Sequence, residues 1–207
     1  MSNLDDDFTT LPLLGGQALL VQIGCGYVAD GRWIFAQWTV DALSVAEERR
    51  IIESWIGGMA AIRAAAGVRL DQTRICHWSA AEPVNLESAY NAARVRHQDA
   101  GWPAQLPWFD VLERVIRAEP VAGTGAFNFG LKSIAMAMHN AGLISTTWGD
   151  GPTDGLGAMV ATWSAAREAS AQNTPLSQHP LMMEVARYNE VDCRVMSEII
   201  SWLRTNR

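Results

Sequence analysis

The sequence predicts a single α/β domain, residues 1–207, built on a mixed sheet, and three observations carry that expectation. Two β-like runs, 17–28 (QALLVQIGCGYV) and 32–40 (RWIFAQWTV), are rich in Val, Ile, Leu and aromatic residues, and the ADG between them is a tight-turn signal for an antiparallel hairpin. Beyond the hairpin a helical pattern, a short strand and further helices alternate, the order expected of a sheet with helices packed on it. A chain of 207 residues with 49% hydrophobic content is long enough to bury one such core.

The N-terminal MSNLDDDFTTLP reads as a polar, turn-like loop in which Asp5, Asp6 and Asp7 are solvated, because aspartates have poor strand propensity; the alternative is a displaced metal ligand among them. The GCG at 24–26 does not complete a G-x-G-x-x-G pattern and runs into a second strand, so it is not a dinucleotide fingerprint. Helix 44–65 opens with Ser44 and Glu47 in capping-box spacing and repeats Ile51, Trp55, Met59 and Ile62 at helical period. A short strand follows at 73–79. A helix begins after Pro83, where proline suits the first turn, and runs through NLESAYNAARVRHQ. After a proline-punctuated loop at 101–108 come a short helix at 109–118, a glycine-rich loop at 121–130 and a helix at 131–142. Helices at 156–170 and 181–204 complete the chain.

Composition excludes several classes. The net charge of −6 advertises no basic surface for long nucleic acid, although a site that binds cations through carboxylates is acidic before they arrive. No apolar stretch reaches the length of a membrane span, and the acidic, polar start is unlike a signal peptide. Cys25, Cys76 and Cys193, odd in number and far apart, read as buried thiols of a cytoplasmic protein. Cys76 with His77 lacks the second ligand pair of a zinc site. Trp102, Trp108 and Trp148 lie in or beside loops and read as packing residues. Of the 16 basic residues only Lys132 is a lysine. At a helix start it is either an ordinary solvated side chain or one that meets a phosphate. His139 and His179 read as helix-end residues.

On the last helix the apolar stripe of Val195, Ile199, Trp202 and Leu203, extended backwards in steps of three and four, lands on Asp192 and Tyr188. An unpaired carboxylate on such a stripe costs several kcal/mol, so it must be hydrogen-bonded, paired or bound to a cation. The bland reading is an arginine partner or a helix cap; the sharper one is metal coordination.

Four segments in order resemble the YprB-type RNase H-like nucleases of the DnaQ-like, DEDD exonuclease superfamily. Tyr188-x-x-x-Asp192 is similar to the third exonuclease motif in its tyrosine-bearing form. ICHWSAAEP (75–83) is similar to the second, with His77 ending a strand and Glu82 five positions on. WFDVLERV (108–115) resembles the aromatic-Asp-Leu segment and FNFGLKSIAMAM (127–138) the loop-to-helix segment. The resemblance implies an RNase H-like mixed sheet flanked by helices. It also implies 3′-to-5′ phosphodiester hydrolysis of DNA or RNA, from a single-stranded end, with two Mg²⁺ or Mn²⁺ ions held by carboxylates. On it, Glu82 and Asp192 are metal ligands with Asp110 as a further one, Tyr188 orients water or phosphate, and His77 and Lys132 contact substrate. Asp110 has an alternative as the N-cap of the helix that follows it.

The family pattern begins with a strand bearing Asp-x-Glu. The sequence reading places that strand upstream of Met1, so that the first strand is missing here and activity is weak or absent. The alternative is a catalytically dead module that binds nucleic acid or a protein. A missing strand would also expose a sheet edge through which a homodimer could form.

Overall fold

The computed structural model describes residues 2–12, 18–78, 86–118, 125–148 and 155–206. Its five strands are β1 (Ser2–Pro12), β2 (Ala18–Ala29), β3 (Arg32–Thr39), β4 (Thr73–His77) and β5 (Trp108–Asp110), and its α-helices are α1 (Val45–Ala65), α2 (Leu86–Arg96), α3 (Leu131–Asn140), α4 (Gly155–Gln172) and α5 (Pro180–Thr205). The strands form one mixed sheet in the order β3-β2-β1-β4-β5. Strand β1 runs antiparallel to β2 and parallel to β4; β2 and β3 are antiparallel, and β4 and β5 parallel.

The hairpin forms as expected, with Asp30 and Gly31 of its turn at φ of 51° and 72°, the left-handed conformations such a turn requires. Two expectations are corrected. The N-terminal segment is no loop: Ser2–Pro12 is the middle strand of the sheet, hydrogen-bonded on both sides. Its ladders on two sides outweigh the poor propensity of its aspartates. With β1 in place, the edge that was to pair two copies is covered, and β3 and β5 are the outer strands. The second correction falls at 108–110, expected to lead into a helix: it is a parallel strand, followed by a π-helical turn at Leu112–Ile116.

The sheet is covered on both faces. On one, α1 and α2 bury Ile51, Ile52, Trp55, Met59, Ala89, Tyr90 and Ala93 against Ile23, Cys25 and Ile75. Trp55 stacks on Trp108, and Trp102 on Tyr90, so these two loop-flanking tryptophans pack in the core as expected. On the other face lies α5. A Cβ placed on Gly24 would sit 3.5 Å from Asn189 Cβ and 2.9 Å from the Phe35 ring, and one on Gly26 only 2.1 Å from Trp33. These glycines of the GCG sequence are there because aromatic rings from β3 lie over the strand. Met196 and Ile200 of α5 close over Cys76 and Val111, and α3 packs Ile134, Ala135 and Met138 against Val195, Ile199 and Leu203. All three cysteines are buried. No described helix is long and apolar enough to cross a membrane.

A buried carboxylate ties the first face together. Glu48 extends the Ile51, Ile52 and Trp55 stripe of α1 one turn backwards and is fully buried. Its Oε1 accepts from the Leu20 amide at 2.9 Å and Arg96 at 2.6 Å, and its Oε2 accepts from Arg96 at 3.0 Å and lies 3.0 Å from His97 Nε2. Charge and hydrogen bonds thus converge on one side chain that links β2, α1 and the end of α2. At the start of α1, Ser44 accepts from the Glu47 amide at 3.2 Å, as the capping box predicts, while the Glu47 carboxylate turns instead to the Asp41 amide and Arg50.

Candidate active site

Helix α5 starts at Pro180 behind His179, whose Nδ1 accepts from the Leu181 amide at 3.3 Å. That hydrogen bond requires an unprotonated Nδ1, so the ring presents Nε2–H to Glu168 Oε2, 3.2 Å away. His139 likewise lies in the last turn of α3. Along α5, Val185, Asn189, Val195, Met196, Ile199 and Leu203 are buried, and the helical period puts Tyr188 and Asp192 inside the same arc. Both are nevertheless only half-buried. The cover over the stripe opens at these two residues, which gives a carboxylate and a phenol a way to solvent without leaving the core-facing side.

Two other elements converge on that opening. The Trp148 indole N–H donates to Asp192 Oδ1 at 2.6 Å, a charge-assisted bond that fixes the carboxylate's orientation. From the first turn of α3, Lys132 Nζ sits 4.9 Å from the centre of the Tyr188 ring and 5.5 Å from that of Trp148. Cation–π attraction to both rings holds the chain's one lysine beside the carboxylate. Trp148 is itself positioned by its neighbours in sequence. Glu198, on the next two turns of α5, accepts from the Ser145 amide at 2.7 Å, the Thr146 amide at 3.0 Å and the Thr146 hydroxyl at 2.6 Å. Partial burial pushes the Glu198 carboxyl up, but the hydrogen bonds from Thr146 and Ser145 together outweigh it and hold the group below the usual glutamate value. Arg194, one turn earlier on α5, reaches it at 3.6 Å.

The sheet brings a further set of acidic residues toward α5. Asp5 is paired with Gly26 on β2 and Cys76 on β4, and Asp7 with Gly24. Gly24 faces Asn189, and Cys76 packs against Met196 and Ile200, so these register positions belong to the face crossed by α5. Residues two apart in a strand share a face. Asp5 and Asp7 therefore occupy the sheet positions on the side of the helix that carries Tyr188 and Asp192, opposite two glycines.

His77 and Asp110 stand on β4 and β5. His77 is buried and shares the Ile75 side of β4, edge-on to the Trp108 ring with centroids 6.0 Å apart. Burial lowers its pKa, against the opposing pull of the Asp110 and Glu87 charges, so at neutral pH it is an uncharged ring on the α1 and α2 side and not a cation beside Asp192. Asp110 is paired in register with His77, and its Oδ1 accepts from the Glu113 amide at 3.2 Å, so it caps the turn that follows. Glu82 lies outside the described residues. Among the described residues no three metal-ligating side chains cluster. Trp148 packs against the α3–α5 cluster as the sequence predicts; its bond to Asp192 is marked by no local pattern in STTWGDG, because that partner stands 44 positions away. Asp5 and Asp7, expected in a solvated loop, stand in a strand, which the propensity of DDDFTT does not predict.

The arrangement gathers one oriented carboxylate, one phenol and one ammonium group from α5 and α3 around Trp148, with an acid-bearing strand in the sheet that α5 crosses. Its donors are oxygens, the set that suits a hard divalent cation rather than zinc or copper. No family model, no curated protein and no solved structure matches this chain.

Proposed function

We propose that this chain is a metal-dependent nuclease of the RNase H-like, 3′-to-5′ exonuclease type, hydrolysing phosphodiester bonds in single-stranded DNA or RNA. One observation carries the reading: a strand bearing Asp5-x-Asp7 precedes the hairpin, occupies the middle of the sheet and lies on the side of the helix that bears Tyr188 and Asp192. That is the place the resemblance requires for its first acidic motif. The departure from the family pattern is one methylene, aspartate where Asp-x-Glu has glutamate.

Asp5, Asp7 and Asp192 would hold Mg²⁺ or Mn²⁺, with Glu82 as a further ligand, and the ions would activate water and neutralise charge on the attacking and leaving oxygens. The chain's own groups do the rest. Trp148 holds Asp192 in a single orientation through its 2.6 Å bond. Lys132 keeps a positive charge at the cleft to meet a phosphate oxygen, its position set by the Tyr188 and Trp148 rings. The Tyr188 hydroxyl, a hydrogen-bond donor, orients water or the scissile phosphate. His77 takes no part in substrate binding on this reading, and Asp110 serves the fold as a cap.

The test is degradation of a 5′-labelled single-stranded oligonucleotide with Mn²⁺ or Mg²⁺. Asp192→Asn and Asp7→Asn should each lower the rate by about 100-fold or more, since removing a ligand forfeits several kcal/mol of charge stabilisation. Oligonucleotide binding without any cleavage by the unaltered protein would identify the non-catalytic module instead. Cleavage indifferent to both substitutions would end the proposal.

A further inference from the structure

The loop that leads into α3 holds an apolar residue in solvent by design of its hydrogen bonds. Phe127 is 98% exposed. Its amide donates to Ser133 Oγ at 3.1 Å and the Asn128 amide to the same oxygen at 3.4 Å, while Asn128 Oδ1 accepts from the Gly130 amide at 2.9 Å. A Cβ on Gly130 would sit 3.0 Å from that Oδ1, so glycine is what lets the turn close. The Trp78 indole N–H fixes the next carbonyl, that of Phe129, at 2.9 Å, and the Arg117 guanidinium lies 5.9 Å from the centre of the half-exposed Phe129 ring. Phe127 and, two positions on, the half-exposed Phe129 give this pinned loop two apolar rings in solvent that forgo the stabilisation of burial, and loops held in one conformation are where binding residues are commonly found.

The surroundings select the occupant. Ser133, which pins the loop, is the neighbour of Lys132, and Lys132 reaches the rings of Tyr188 and Trp148 at the cleft. The exposed Phe127 ring and Lys132 stand at the two ends of the turn pinned by Ser133, and Arg117, ion-paired with Glu113, lies over the Phe129 ring beside it, in a chain whose net charge is −6. Aromatic faces for bases beside cations for the backbone are how single strands are held without sequence preference. We infer that Phe127 is the stacking residue for a nucleobase of a single-stranded nucleic acid whose backbone runs past Arg117 and Lys132 into the Asp192 cleft. This inference rests on the nuclease reading and adds to it a substrate-positioning residue.

The test compares the full chain and its Phe127→Ala and Phe127→Trp variants, with Ca²⁺ replacing Mg²⁺ in the binding assay and Mn²⁺ present in the cleavage assay. The probes are a labelled oligothymidylate and an abasic oligomer of equal length. Phe127→Ala should bind oligothymidylate about 5- to 100-fold more weakly and raise KM in parallel, the effect of losing one stacked base, while kcat changes little. Phe127→Trp should restore affinity, and the abasic oligomer should bind the Ala variant and the unaltered chain alike. The Phe127 side chain is in solvent, so unchanged thermal melting confirms that the Ala variant is folded. Equal oligothymidylate affinity in both proteins, with cleavage still removed by Asp192→Asn, overturns the stacking role and leaves the nuclease reading standing. A folded, unaltered chain that neither binds nor cleaves single strands removes both.

Discussion

Asp192 and Glu48 pose the same physical problem, a carboxylate on the apolar stripe of a helix, and resolve it differently. Glu48 is fully buried and surrounded by Arg96, His97 and an amide, so its charge is neutralised inside the fold and has nothing left to offer a substrate. Asp192 is half-buried, and the Trp148 indole N–H, a neutral donor, bonds its Oδ1 and orients the carboxylate. If Trp148 acts by positioning, Trp148→Phe should keep the packing and the ring beside Lys132 yet lower metal affinity or activity by about 10- to 100-fold, as loss of a supporting hydrogen bond to a metal ligand does. A metal titration of Mn²⁺-stimulated cleavage reads this, and an unchanged midpoint and rate would assign Trp148 to packing alone.

Among elements, β1 and the segment at 145–148 were the least legible. Strand propensity ranks Asp among the poorest residues, and DDDFTT contains three of them, so a local reading makes a turn of it. Pairing with β2 on one side and β4 on the other supplies two ladders that propensity does not know about. Sites of function are where local and global preference are expected to disagree, and acids in a middle strand are such a disagreement. The 145–148 segment is held by Glu198. Because the folded carboxyl titrates below its ordinary value of 4.5, its stabilising bonds are complete above that pH and are lost as pH falls through the lower, folded value. The stability difference between the unaltered chain and Glu198→Gln should therefore shrink as pH is lowered from about 6 to about 3. Chemical denaturation at several pH values measures it, and a difference independent of pH would contradict the assignment.

The whole molecule is a sheet with two covered faces, and each face has its own charged fastening. On the α1 and α2 face, Glu48→Ala would strand Arg96, and with it the Leu20 amide, away from their acceptor. Removing one member of a buried pair costs about 3–5 kcal/mol, so thermal or urea unfolding of this variant should show a loss of that size, and a loss under about 1 kcal/mol would mean that water replaces the pair. On the α5 face the polar contacts are those of the cleft, plus the Asn189 amide donating to Gln22 Oε1 at 2.9 Å. The net charge of −6 leaves no dominant basic surface on the molecule.

The hairpin at 18–39, the helices, the α1 stripe through Met59 and the pairing of Tyr188 with Asp192 on one arc of α5 follow from periodicity and turn chemistry, which act over a few residues and can be read along the chain. Three results depend on contacts between segments far apart: the acidic N-terminus as the middle strand, Trp148 on Asp192 across 44 positions, and His77 on the face away from α5. The reason is physical. A strand's stability resides in its neighbours' hydrogen bonds, and a side chain's chemistry in the charges and rings packed against it, neither of which a local window contains.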